Sequence, residues 1–314
     1  RHFIQFNKTI FKNINNLEPG DLFKFNMKNK KVKKIKKFSI REYISKKQYR
    51  LNEQKTESQL VNELDALLKK SLKEMLPEKR NFCSIISGGV DSSLISMILS
   101  KISRPKKFIS LNHIRKDRVS NKVEKFENYL MNKVYKIQVS KKDYLKNYLE
   151  ALKVCCSPIN SHDFPGKLIL AKKTNMTRSK AIFGGDGADE FFGGYSTYTQ
   201  KIKKIKENNS NYTKIIKPKL FDKDDSKTNN YSKKINSEWK NCLKAYNFIK
   251  NRDERNRLAM MLMDSAIQLP SVGLRGCDLM SMNHSVEPRS VFLRKPLMKF
   301  ALNLPLKFKL KIKK

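Results

Sequence analysis

The stretch Phe82–Ser93, F-C-S-I-I-S-G-G-V-D-S-S, restricts the chain more than any other. Phe82–Ile86 is a short apolar run of the length of a buried strand. It stops at Ser87-Gly88-Gly89, and an apolar-periodic segment resumes from Leu94 at helical spacing. The order is strand, glycine turn, helix. Glycines there let the backbone approach a ligand, and the first free N–H groups of the helix point at whatever sits above them. Ser87, Ser92 and Ser93 add hydroxyl donors. Asp91, a carboxylate inside an anion site, suits a divalent cation brought in by the anion. A phosphate site follows, with a tight turn and a serine N-cap as the plainer alternative.

The segments around this stretch alternate. An amphipathic helix over Thr56–Leu76 carries Leu60, Leu64, Leu67, Leu68, Leu72 and Met75 on one side and ends at Pro77. Beyond the glycine turn the pattern predicts strand Lys107–Leu111, helix Lys122–Asn132, strand Val134–Val139, helices Asp143–Val154 and Gly166–Asn175, and strand Ala181–Phe183. This is α/β order: a parallel sheet with right-handed crossovers, helices on both faces and a ligand at the carboxyl ends of the strands. Before it, Thr9-Ile10-Phe11 and Leu22–Phe25 read as strands around a Glu18–Asp21 turn, and 38–52 reads as a linker, so 1–50 divides from 51–314. After it, Lys201–Asn241 reads as loosely packed. Helices are expected at Ala245–Asn251, Arg257–Gln268 and Leu297–Leu304, with a break at Leu269-Pro270.

Strand Ala181–Phe183 runs into a second informative stretch, Gly184–Tyr195, G-G-D-G-A-D-E-F-F-G-G-Y. Asp186, Asp189 and Glu190 crowd together, and such carboxylates repel unless a cation or polar substrate lies among them. An exposed acidic turn is the plainer reading, and a position at a strand end favours the functional one.

The 68 Lys and Arg against 29 Asp and Glu give a net charge of +39, a field that attracts polyanions. The lysines are spread along the whole chain, as compositional bias produces, so nucleic acid is not expected as a partner. No apolar run approaches the ~20 residues that cross a bilayer, and no signal core opens the chain. The five cysteines lack metal-ligand or disulfide spacing, which suits a reducing, cytoplasmic setting.

Together the two stretches carry a family resemblance. I-S-G-G-V-D-S-S (Ile86–Ser93) resembles the pyrophosphatase loop of adenylating ATP enzymes, and Gly185–Tyr195 resembles the second signature of the glutamine-hydrolysing asparagine synthetases. A third piece, Leu269–Leu293 with M-S-M-x-x-S-V-E-P-R, is similar to the C-terminal motif of that family. The resemblance implies an adenine nucleotide alpha hydrolase-like fold, with 1–50 as the tail of a glutaminase domain plus linker and 51–314 as the synthetase domain. It implies ATP and Mg²⁺, adenylation of the aspartate side chain, and displacement of AMP by ammonia from glutamine. It also allows a homodimer. By position, Ser87, Gly88, Gly89, Ser92 and Ser93 would hold pyrophosphate, and Asp91 and Asp189 the metal. Ile86 and Leu111 would flank adenine, Gly184 and Gly185 would approach the nucleotide, and Asp186 would serve adenylation.

The chain departs from that pattern in places. Gly184 replaces a usual serine, Gly276 and Leu279 replace usual basic residues around Asp278, and Arg294 replaces a usual aspartate. Ser157-Pro158 lacks the acidic residue that often precedes the proline, and no cysteine matches the glutaminase nucleophile. Arg275 is the candidate to supply the missing positive charge. The alternatives are a tRNA-modifying adenylating enzyme with the same loop, a ligase for another carboxylate such as that of a sugar acid, and a homologue that binds nucleotide without turnover.

Overall fold

Apolar runs without a polar face form strands only where both sides are covered, and Phe82–Ile85, Phe108-Ile109 and Ala181–Phe183 are of this kind. The computed structural model describes residues 9–113, 123–130, 133–156, 161–200 and 226–311. The chain begins with a hairpin, β1 (Asp21–Asn26) and β2 (Lys31–Lys37), a 3₁₀ turn (Ile40–Tyr43), α1 (Lys46–Gln54) and α2 (Glu57–Met75). The sheet segment follows as β3 (Phe82–Ile85), α3 (Val90–Ile102), β4 (Lys107–His113), α4 (Glu124–Glu127), β5 (Val134–Val139), α5 (Lys141–Cys155), α6 (Phe164–Met176) and β6 (Ala181–Gly184). Then come α7 (Ala188–Phe192), α8 (Thr197–Gln200), α9 (Ser226–Ala245), α10 (Arg252–Met263), a π-helix (Asp264–Leu274), α11 (Arg275–Met282), β7 (Glu287–Ser290) and α12 (Lys295–Leu302).

Five strands form one parallel sheet in the order β5-β4-β3-β6-β7. The chain builds outward from β3 to β5 and then returns to the other side of β3 with β6. Side chains alternate across it. Phe82 and Phe183 join Leu68, Leu72, Ile95 and Leu99 on the face of α2 and α3. Cys83, Ile109, Ile137 and Ile182 join Ile169 and Leu170 on the α6 face. Capping boxes at Thr56/Gln59 and Ser140/Asp143 fix where α2 and α5 start. The sheet, the helices on both of its faces and the helical C-terminal part agree with the α/β reading. Among the described residues no helix is long and apolar enough to cross a membrane.

Several local expectations are corrected. The presumed linker folds as the 3₁₀ turn and α1, and Tyr49 is 1% exposed in the same helical core as Trp239, Tyr246 and Met260. Its charged residues face out while one aromatic anchors it. Trp239 and Cys242 likewise bury one side of α9 inside the stretch read as loose, of which 201–225 lies outside the described residues. Thr9–Phe11 forms no strand, the Lys122–Asn132 helix shrinks to the single turn α4 among its described residues, and the helix expected over Ala245–Asn251 does not form, since α9 ends at Ala245 and a turn follows. Pro270 does not break the chain: it sits inside the 11-residue π-helix. A proline removes one N–H donor, and the wider π turn absorbs the defect without ending the helix.

Two contacts set how the outer elements sit. Glu18, at the foot of the β1–β2 hairpin, pairs with Lys37 at 2.5 Å and with Lys234 of α9. On the sheet side, Gly276 of α11 lies against Phe164 of α6. A Cβ at Gly276 would come within 2.1 Å of the ring, so these helices approach only because position 276 has no side chain.

Burial alone would raise the Glu18 pKa, yet Lys234 and Lys37 outweigh it and hold the carboxyl below its ordinary value. Its stabilising contribution is therefore complete above the ordinary glutamate pKa of about 4.3 and is lost as pH falls through the lowered native value. E18Q should cost on the order of 1 kcal/mol at neutral pH and much less at pH 3, read as faster amide exchange across Asp21–Lys37. G276A should overpack the α6–α11 contact and lower stability by about 2 kcal/mol in chemical denaturation, with F164L/G276A recovering part of the loss.

Candidate active site

In an open parallel sheet the crevice lies where neighbouring strands send their connections to opposite sides. Here that place is between β3 and β6, which are bonded neighbours, and both informative stretches leave the sheet there. The Ser87–Ser93 stretch leaves β3 and Gly185–Tyr195 leaves β6.

The first loop is tied by its own serines. The Ser87 N–H donates to Ser92 Oγ at 3.0 Å, the two hydroxyls lie 2.8 Å apart, and the Gly89 N–H donates to Ser87 Oγ at 3.3 Å. Helix α3 starts at Val90, earlier than the apolar pattern indicates, with Gly89 as N-cap and no side-chain cap. Asp91, Ser92 and Ser93 therefore lie in its first turn, where free N–H groups favour an anion. Gly88 takes φ +77°, a conformation that suits glycine. Ser93 Oγ is buried with no partner among the described residues.

The second loop closes on the first. A Cβ on Gly185 would lie 3.1 Å from Asp91 Cβ and 3.3 Å from the Ser92 nitrogen, so the two motifs touch, backbone to backbone. Gly187 (φ +92°) opens α7 and Gly193 (φ +87°) closes it, which confines the helix to one turn and presents Asp189 beside Asp91. Asp189 folds over Gly194, where an added Cβ would fall 1.7 Å from Oδ1.

The carboxylates find different environments. Burial pushes the Asp91 pKa up and the nearby Asp189 charge pushes it further; burial also raises Asp189. Burial raises Glu190 as well, although its carboxylate accepts a 2.9 Å hydrogen bond from the Tyr195 hydroxyl. Asp186 is neutralised from a side the sequence did not reveal. Lys167 Nζ lies 3.2 Å from Asp186 Oδ1 and donates to the Gly273 carbonyl at 3.0 Å. Burial alone would lower the Lys167 pKa, but the Asp186 charge reverses the sign, so the ammonium is retained. Burial first and Asp186 second push the neighbouring Cys277 thiol up to about 12, leaving a neutral weak donor.

The remaining candidates separate. Ile86 is fully buried among Phe108, Val123 and Val134, so only its backbone faces the crevice. Leu111 is half-buried at the β4 end and touches Gly166. Gly184 ends β6 beside Asp186. Arg275 opens α11, where its charge acts on the buried Cys155 thiol; among the ion pairs of the described residues, the cation on Asp186 is Lys167. Arg294 pairs with Glu74 at 2.6 Å on the surface, and Leu279 joins the apolar cluster of Phe164 and Leu168. Ser157-Pro158 lies outside the described residues. Lys167 was hidden among 68 basic residues. Its only signal was a position one turn into a helix, just before the apolar run Leu168–Ala171.

These residues fit a nucleotide polyphosphate with a divalent cation. The loop offers α3 N–H groups and the unpartnered Ser93 hydroxyl, and Gly185 removes the side chain that would fill the cradle. Among the described residues no three carboxylate, histidine or cysteine side chains cluster as a metal cage. Asp91 and Asp189 stand close enough for one charge to act on the other, and two carboxylates suit Mg²⁺, which takes one or two and completes its shell with phosphate and water. Asp91 and Asp189 would hold it, and it would neutralise the charge that builds on pyrophosphate.

No curated protein matches the chain. The family model for asparagine synthase matches residues 63–314, a span that contains the sheet, both loops at its switch point and the Glu287–Arg289 strand. The chain belongs to the asparagine synthase family, whose members are ATP-dependent amide ligases.

Proposed function

We propose that the chain activates the side-chain carboxylate of aspartate with ATP and transfers the acyl group to ammonia, giving asparagine. One observation carries this reading: Gly185 lies against Asp91 and Ser92, so the phosphate loop and the acidic loop form a single crevice. Carboxylates are poor acyl donors until an oxygen becomes part of a good leaving group. The carboxylate oxygen forms a bond to the α-phosphorus as the bond to pyrophosphate breaks. Ammonia then attacks the acyl carbon, the C–O bond to AMP breaks, and the nitrogen loses a proton.

The residues divide the work. The unspent backbone N–H groups of the first turn of α3 and the Ser93 hydroxyl take the departing pyrophosphate, and their fixed orientation favours charge that develops during the step. Asp91 and Asp189 would hold Mg²⁺, which would supply electrophilic charge to the phosphates. The apolar walls formed by Ile85 and Ile182 keep water from the activated acid. Within this chain the nitrogen enters as free ammonia, since four of the five cysteines are buried and Cys156 sits on the surface at the end of α5.

Labelled pyrophosphate should exchange into ATP only when L-aspartate and Mg²⁺ are both present. D91N and D189N should each lower that exchange about 10²–10³-fold without lowering the melting temperature. Exchange that needs no acid, or none with any acid despite ATP binding, would remove the ligase reading. In the full reaction ammonium should support asparagine formation and glutamine should not; glutamate release from glutamine would contradict the nitrogen assignment.

A further inference from the structure

Lysine is spread evenly along the sequence, but the β1–β2 hairpin sorts it by face. Residues directly opposite in an antiparallel pair lie on the same face. The register sets Leu22 against Lys36, Lys24 against Lys33 and Asn26 against Lys31 on one face, and Phe23 against Lys34 and Phe25 against Val32 on the other. The second face is apolar and its charge is compensated: Lys34 pairs with Asp21 at 2.6 Å and lies 5.5 Å from the centre of the Phe23 ring. The first face is basic. Among the described residues the hairpin lysines in ion pairs are Lys34, Lys36 and Lys37, which leaves Lys24, Lys31 and Lys33 exposed and uncompensated. Lys36 reaches Glu42 only at 3.9 Å.

That arrangement works against the hairpin. Like charges directly opposite one another destabilise a strand pair, and Lys24 and Lys33 are such a pair. A second crowding adjoins it. Lys295 and Lys299 of α12 both lie over the ring of Tyr43, the neighbour of Glu42, at 5.7 and 5.4 Å. One ring attracts each ammonium, while the two repel each other across a single helical turn. A row of uncompensated charge fits a ligand that carries its own row of the opposite sign. Lys31 and Lys33 follow at the two-residue repeat of the strand, about 6.8 Å, with Lys24 across from Lys33.

We propose that the lysine face of the β1–β2 hairpin binds the sugar-phosphate backbone of a nucleic acid without reading its bases. That face has no aromatic ring on which a base could stack. Its one amide, Asn26, is spent on the turn, where Oδ1 accepts from the Lys28 N–H at 2.9 Å and the Asn29 N–H at 3.4 Å. An anionic membrane fits less well, because Phe23, Phe25 and Val32 lie on the opposite face and their insertion would turn the lysines away from the head groups. The proposal is independent of the ligase reading.

The test measures anisotropy of labelled oligouridylate and of a mixed-sequence RNA duplex with the full chain, across about 50–200 mM salt. Both should bind, and other base compositions should bind within threefold. K24Q/K31Q/K33Q should weaken binding at least tenfold at ~0.1 M salt. The slope of log affinity against log salt should fall by about 2 on the single strand and about 2.7 on the duplex, since three phosphate contacts are lost. K101Q/K106Q/K107Q, which removes the same charge from other exposed positions, should change affinity less than threefold. Equal losses from the two triples, or no binding by the unaltered chain at the low-salt end, would overturn the proposal. So would vesicles of anionic lipid whose binding the first triple abolishes while RNA binding persists. Should faster amide exchange across Asp21–Lys37 show that the first triple opens the hairpin, acetylation of the unaltered chain decides. Saturating RNA should then protect Lys24, Lys31 and Lys33 and leave Lys101, Lys106 and Lys107 reactive; uniform protection or none would end it.

Discussion

A lysine held away from water is costly unless an opposite charge and further acceptors surround it. The site is arranged around one such lysine. Lys167 sits one helical turn after Phe164, on the same face of α6, so the contact that seats Phe164 on Gly276 also carries the ammonium to Asp186 and the Gly273 carbonyl. Three elements meet at that ammonium: α6, the loop after β6 and the C-terminal turn of the π-helix. Without it Asp186 would add to the repulsion between Asp91 and Asp189. With it, Asp186 is compensated within the protein, and the other two carboxylates are left to share a cation.

That division of charge follows from the sheet. Because β6 returns to the side of β3 opposite β4, the loops after β3 and β6 leave from adjacent strands and can meet only above the sheet edge. The glycines there serve distance as much as conformation. Gly185 brings backbone against Asp91 and Ser92, and Gly194 lets Asp189 lie flat. The short helix between Gly187 and Gly193 then turns Asp189 inward.

The sheet and the two loops were legible because their residues obey local rules. Val134–Val139 was read to the residue, and Thr56–Leu76 was bounded by its cap and its proline. Where tertiary contacts decide, sequence gave less. Tyr49 turns a charged segment into a core helix through one aromatic ring, Pro270 survives because a π-helix tolerates a missing donor, and β7 is too short and polar to read as a strand. Ile86 was placed beside the adenine by its position at a strand end, yet its side chain belongs to the core. No local rule marks Lys167, whose role depends on a partner 19 residues away.

The missing basic residues of α11 now have a physical reading. A lysine at position 276 would need the volume that the Phe164 ring fills, and Leu279 faces the same apolar cluster. At this helix pair an aromatic ring fills the space beside position 276, and the cation on Asp186 comes from α6. The pyrophosphate end then depends on backbone N–H groups and the divalent cation for its positive charge. That dependence explains why Asp91 and Asp189 keep no lysine or arginine partner among the described residues: a fixed cation there would compete with the metal that the phosphates bring.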